Sequence, residues 1–398
     1  MRFSLTVIFL FWLLPGFAQD DGKQKLLEVY GQLMTDFGYN FDQINPDYFD
    51  VIRPSQLPSF KNEYGSDGNF WFSVRQTYLG LKGYYPTRRG EIKTIFEFDL
   101  YGMGSNVGQT TFHLTKAWVE FRHFGFGRHW SVFVNRDAYP NILEYWGPNG
   151  IALCPNLQVR WTPITGDNRL IFALERPGAS VDEGIYRDRI EIENIKLRLP
   201  VPDLSASYRH TGKFGYAELA GIVRYIQWKD MLKDSIDYTG HAVGWGLNLN
   251  SKILISKALT GKFQFVYGEA IENYMNDGPI DVAVEKDSSD MSRPAYGVGL
   301  PVLGVSTFMD IQWNSHFSSS IGFSMSGIFN SNGQEPSAFR YGHYALANLL
   351  YYPVENAMAG IELQYGSRTN YSDGWRTEIV KIQFSFRYLF SHIFYNSR

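Results

Sequence analysis

Lys93, Glu97 and Asp99 stand on one side of the extended stretch EIKTIFEFDLYG, while Ile92, Thr94, Phe96, Phe98 and Leu100 stand on the other. Charges of both signs at every second position can line a path for ions and small polar solutes. The same parity puts Ser73, Arg75 and Thr77 on the polar face of residues 70–84, and Lys116, Glu120 and Arg122 on that of residues 111–124. Arg160, Glu175, Arg209, Arg224, Asp310, Gln312, Glu362, Gln364, Lys381 and Arg387 extend the series. The rival reading is that such groups only pair across strands and stiffen a wall.

Catalytic and metal chemistry finds little support. His113, His123, His129 and His210 lack HxxxH or Cys-His spacing, so no metal site is expected. No nucleophile elbow, P-loop or dinucleotide fingerprint occurs in a usable context. His129 and Ser131 share a face, with no acid placed to orient the histidine. The acidic run Asn276 to Asp290 carries Asp277, Asp281, Glu285, Asp287 and Asp290 without a DxDxDG loop, and reads as solvated loop. The expectation is neither an enzyme nor a cofactor protein.

What could hold alternating charges in place follows from the N-terminus. MRFSLTVIFLFWLLPGFAQ combines Arg2, an apolar core from Phe3 to Leu14, a Pro-Gly break and a small residue, Ala18, which predicts a signal peptide over 1–18. Losing Arg2 takes the formal net charge from -3 to -4, which excludes a polybasic nucleic-acid footprint. After it, no stretch reaches the roughly 18 to 20 apolar residues of a spanning helix. An exported chain that enters lipid without such a helix must close a barrel, because lipid offers unpaired backbone groups no partner. Mean hydropathy is -0.24, as suits a wall wet on one side. Aromatics reach 17%, with 26 Tyr and 30 Phe, and their amphipathic rings suit the water–lipid boundaries. The alternative for this composition is an aromatic-rich soluble β-sandwich.

Turn signals divide the mature chain into about 16 strands, each of about ten residues. These run from 29–39, through 70–84, 91–102, 111–124 and 129–135, to 376–390, with FGFG read as the tight turn before 129. Long connections follow odd-numbered strands and short ones follow even-numbered strands. That asymmetry predicts an all-β transmembrane antiparallel barrel, residues 19–390, with long external loops, short periplasmic turns and a C-terminal tail at 391–398. Arg or Lys facing lipid at midplane would cost about 2 to 4 kcal/mol, so the charged parity is assigned to a lumen. Around 16 strands also enclose more space than side chains fill. RDAYPNILEYWGPNGIALCPN, residues 136–156, is costly to expose and is predicted to fold inside as a constriction, with Tyr145 and Trp146 against the wall and Glu144 and Arg136 reaching polar partners across it; subunit contact or plain loop packing is the alternative.

The stretches WFSVRQTYLGLKG, IKTIFEFDLYG, TKAWVEFRHFGFGRHWSVFVNRDAYP, PDLSASYRH and LAGIVRYI resemble the DcaP-like trimeric porins of Gram-negative outer membranes. The resemblance implies a 16-stranded homotrimer in outer-membrane lipid and lipopolysaccharide, passing small polar, often anionic, solutes by diffusion. By position, Arg75, Arg122 and Arg160 match the family's inward arginines. Gln19 to Glu28 is too short for the periplasmic coiled coil of some members, and SHIFYNSR follows the aromatic-closed QFSFRYLF. The competing function is a plugged barrel acting as adhesin or surface receptor through its loops.

Overall fold

A computed structural model describes residues 24–232, 237–289 and 293–396 of the chain, so the expected signal peptide lies outside the described residues. Sixteen antiparallel strands form one wall: β1 (Lys25–Asn40), β2 (Asn69–Ser73 and Tyr78–Thr87), β3 (Gly90–Tyr101), β4 (Thr110–Phe121), β5 (Phe124–Trp130), β6 (Pro155–Ile164), β7 (Asn168–Glu175) and β8 (Ile195–Arg198 and Asp203–Gly212). They continue with β9 (Gly215–Asp230), β10 (Gly240–Leu254), β11 (Leu259–Glu269), β12 (Pro301–Gln312), β13 (Phe317–Ile328), β14 (Phe339–Tyr351), β15 (Ala357–Asn370) and β16 (Arg376–Tyr395). Each strand pairs with its sequence neighbours, and β16 pairs with β1, which closes the ring and leaves no open edge. Outside the wall, Val181–Asp182, Val282–Lys286 and Ala295–Gly299 form a small separate sheet.

The alternation read from the sequence sorts the two faces. Leu33, Phe72, Phe96, Val119, Val159, Val223, Leu247, Ile321, Leu363 and Phe386 point outward and are exposed, as a lipid-facing belt requires. Connections after odd strands, such as 41–68, 131–154 and 270–300, gather at one end, and tight turns such as 88–89, 122–123 and 213–214 at the other.

Four local departures have physical causes. The β4 ladder shifts register beside Glu97, which pairs with Lys116 while Phe98 pairs with Leu114, so Thr115 is bulged. His113 and Lys116 therefore share the inner face although they are an odd number apart, which is why no single parity fits this strand. β2 breaks between Ser73 and Tyr78, and there the Thr77 hydroxyl bridges Met34, accepting from its N–H at 3.1 Å and donating to its carbonyl at 3.2 Å.

FGFG is not a turn but the first half of β5, and residues 131–135 leave the wall. A β-carbon on Gly125 would lie 2.0 Å from the Trp118 ring, and Gly127 at φ 115° lies against the Ala117 carbonyl. The glycines make room for a ring and a close backbone, and the turn falls one step earlier, at Arg122 and His123. Finally, 391–395 is no tail. Ser391 to Tyr395 continue β16 against Tyr30 to Lys25, so the wall extends beyond residue 390.

Candidate functional site: a loop-lined lumen

Residues 131–154 leave β5 and cross the inside of the barrel. The side chain of Asn248 on β10 donates to the Phe133 carbonyl at 2.7 Å, and Gln264 on β11 accepts the Ala152 N–H at 2.8 Å. The Gly150 N–H donates to Ser324 on β13 at 2.8 Å, and Asn149 donates to Ser326 and to the Gly342 carbonyl, both at 3.0 Å. Glu362 on β15 accepts the backbone N–H groups of Leu143, at 2.8 Å, and Glu144, at 3.2 Å. Buried backbone needs partners of this kind away from water.

Gly150 lies tight against the wall. A β-carbon there would meet the Met325 carbonyl at 2.0 Å and the Val305 carbonyl at 2.5 Å. Phe133, Ala152 and Tyr274 pack with inward Ala220, Ile222, Val266, Val302 and Ile328 in an apolar core inside the ring. The inner wall is thus apolar where the loop lies on it.

Two further segments brace this loop. In 41–68 the Ile52 N–H donates to Glu144, as does the Tyr344 hydroxyl of β14, and the same carboxylate receives Lys381 at 3.2 Å. Burial pushes the Glu144 carboxyl above its ordinary value, and the Lys381 charge opposes that rise. In 270–281, the Asn276 side chain donates to the Trp146 and Pro148 carbonyls at 2.8 Å, and the Trp146 indole donates to the Asn276 carbonyl at 2.9 Å. Asp277 takes the Ser55 hydroxyl at 2.5 Å and Arg53 at 3.4 Å. Asp277 and Asp281 are thus fully buried, which corrects the reading of the acidic run as solvated loop. Asp290 lies outside the described residues.

What remains open is a cavity of about 520 Å³ between the loop and the wall of β1 to β4 and β16. Glu97, Asp99, His113, Lys116, Arg136, Tyr139, Tyr145 and Arg387 are among the residues around it. Its acids are occupied. Glu97 holds Lys116 at 2.9 Å and the Tyr30 hydroxyl at 2.8 Å, while Asp99 holds His113 at 3.1 Å and the Tyr145 hydroxyl at 2.6 Å. Tyr145 also stacks on Tyr101 of β3, centroids 4.0 Å apart, so the loop reaches the opposite wall.

Two cations at this cavity have no ion-pair partner among the described residues. The Arg136 guanidinium lies between the Trp130 and Tyr139 rings, at 4.6 and 4.4 Å, and Arg387 keeps a buried Nε without any hydrogen-bond partner.

The other site residues named from the sequence scatter. Arg75 points inward but is 1% exposed, clamped by Asp50 and lying 4.2 Å over the Tyr101 ring, so it presents no free charge. Arg122 sits exposed in the turn between β4 and β5 at φ 54°, off the inner face. Arg160 faces inward and donates to the Trp130 carbonyl at 2.7 Å and to Gln158. Arg224 is 1% exposed and bonded to Asp203 at 3.0 Å and Asp281 at 2.7 Å, a brace for 270–281 that lines no open space. Asp310 pairs with Lys262 at 2.7 Å and accepts the Asn141 N–H at 3.3 Å. Lys93 and Glu120 oppose each other across β3 and β4, away from the cavity. Trp146 is buried against Val51 and Tyr101.

Sequence reasoning passed over segment 41–68, although Ile44, Val51, Ile52 and Leu57 are as apolar as the loop it did single out. The Ser131 hydroxyl donates to Glu175 at 2.8 Å, and no bond joins it to His129.

The sequence profile of the DcaP outer membrane protein family matches residues 18–390. The chain belongs to that family. Its fold is similar to the crystal structure of the outer membrane channel DcaP of Acinetobacter baumannii, with TM-score 0.77 and 16% identity over 95% of this chain and all of that one. It is also similar to an anion-selective porin from Comamonas acidovorans, with TM-score 0.59 and 9% identity over 92% of this chain and 100% of that one. A third likeness is to the trimer form of OmpT of Vibrio cholerae, with TM-score 0.54 and 12% identity over the same shares. No curated protein sequence matches the chain. The chain is therefore an outer-membrane β-barrel of a channel family.

Proposed function

We propose that the protein is a diffusion channel for small hydrophilic solutes, that they pass between loop 131–154 and the wall of β1 to β4 and β16, and that anions are preferred. The observation that carries this reading is the imbalance at the cavity: Glu97 is paired with Lys116 and Asp99 is held by His113 and the Tyr145 hydroxyl, whereas Arg136 and Arg387 meet no acid among the described residues, so two unpaired cations face the single acid without a permanent cation. Fixed, uncompensated positive charge in a confined aqueous path raises the local anion concentration. Loop 131–154 sets the size limit, since Tyr145 spans to β3 and leaves the cavity beside it. By the same reading Glu97, Asp99 and Lys116 line the path, the mature chain begins at Gln19, and three copies assemble.

The test is a planar-bilayer recording of the refolded protein under a salt gradient. Arg136→Ser with Arg387→Ser should move the reversal potential toward cation selectivity. An unchanged potential would remove the anion preference. A wild-type protein that inserts without conducting would favour the receptor reading.

A further inference from the structure

Lys196 of β8 and Lys229 of β9 are register partners on adjacent strands, and both are exposed. Along β9 the even residues Arg224, Ile226 and Trp228 are buried inward, so Lys229 projects from the outer face. Arg198, opposite Gln227, lies on that same face. Like charges placed directly across a ladder destabilise it. Yet no ion pair to Lys196, Arg198 or Lys229 forms among the described residues, and Asp237, an acid in the electrostatic reach of Lys229, is fully exposed.

The position of the trio indicates what relieves the repulsion. It lies at the end of β9 that leads to residues 231–239, the end shared with the long loops. Below it on the same face, past Gln227, come Tyr225, stacked on His241 at 5.5 Å, and Val223, 53% exposed, and on β10 their exposed partners Val243 and Trp245. Successive outward residues of a strand are about 6.6 Å apart, so Lys229 stands just beyond the apolar belt, where headgroups meet water. A ligand here must offer negative charge above and acyl chains below.

We infer that Lys196, Arg198 and Lys229 form a binding site for the phosphorylated headgroup of an outer-leaflet glycolipid. Phosphate oxygens would bridge the opposed ammonium groups and take the Arg198 fork, and the acyl chains would lie along Val223 and Val243. Free phosphate could use the cations but would leave the apolar half without a role.

Delipidated protein in detergent is titrated with lipopolysaccharide bearing its lipid A phosphates, with the same lipid after phosphatase treatment, and with inorganic phosphate as competitor. The triple variant Lys196→Ser, Arg198→Ser, Lys229→Ser should bind the phosphorylated lipid at least about tenfold more weakly, the loss of one charge-assisted contact. Both proteins should bind the dephosphorylated lipid alike. Equal affinity of variant and wild type for the phosphorylated lipid overturns the site, and competition by inorganic phosphate at the lipid's own affinity overturns its assignment to lipid. Heat-modified gel mobility monitors folding. Should the triple variant fail to fold, Lys196→Arg with Lys229→Arg must keep the affinity, and Lys229→Ser alone must lower it.

Discussion

Glu144 on the inner loop and Lys381 on β16 meet at 3.2 Å with both side chains fully buried. The pair joins the middle of the loop to the strand that closes the ring, and the Ile52 N–H and the Tyr344 hydroxyl complete the acid's shell.

Removing the cation should therefore be worse than removing both charges. Lys381→Met leaves an unpaired buried carboxylate and is expected to lower stability by about 3 kcal/mol, while Glu144→Gln with Lys381→Met recovers most of that loss. The Glu144 carboxyl already lies above its ordinary 4.5. A carboxyl raised in the folded state keeps a proton that the unfolded chain gives up, so its contribution falls as pH rises above 4.5. Without Lys381 that fall should steepen. Midpoints of heat modification between pH 5 and 9 would show it, and a flat profile for Lys381→Met would contradict it.

Gly150 tests whether the loop is held against the wall. Gly150→Val drives a side chain into the Met325 carbonyl and should loosen the loop, raising conductance and its fluctuations while the barrel stays folded. Gly221→Ala is the control, since its β-carbon meets nothing nearer than 3.8 Å. Identical single-channel traces for Gly150→Val and wild type would refute the close contact.

Cys154 ends the loop. Burial pushes its thiol up to about 12, and stability from this group is retained below the ordinary 9 and lost as pH rises from there toward 12. At pH 8 the thiolate fraction is therefore lower than in the unfolded chain. A disulfide reagent should thus label native protein far more slowly than protein in denaturant, and matching rates would show that the thiol is not buried.

Arg75 separates inward orientation from a role in selectivity. Because Asp50 neutralises it, Arg75→Met should leave the reversal potential unchanged but lower stability by about 3 kcal/mol, and Asp50→Asn added to it should restore part of the loss. A shift of selectivity with Arg75→Met would show that its charge reaches the path.

The ring was legible because period-two alternation and unequal connections are local properties of the chain. The wall side of Lys93, Glu97 and Asp99 followed from the high free energy of charge in lipid. The inner site was harder to read. Arg75, Arg160 and Arg224 all face inward, and what separates them is whether Asp50, Gln158 or Asp281 meets them, partners set by loop packing. Thr115 shows the same limit on a smaller scale, since one bulged residue exchanges the faces of half a strand. Arg122 was assigned inward by carrying the alternation one residue too far, into a turn whose positive φ the spacing does not encode.

The pairing of Lys25 with Tyr395 joins the two ends of the chain. Until that seam forms, β1 and β16 are both open edges, able to pair with any other extended chain. Loop 131–154, meanwhile, is fastened to β10, β11, β13 and β15, all of which emerge from the ribosome after it. Phe133 and Ala152 lack the Val266 and Ile328 part of their core until those strands are in place. Completing the lumen thus requires contacts between residues far apart in the chain, which are slow to form and leave these apolar groups exposed meanwhile. The same contacts that narrow the finished lumen make the unfinished chain dependent on protection during its passage to the membrane.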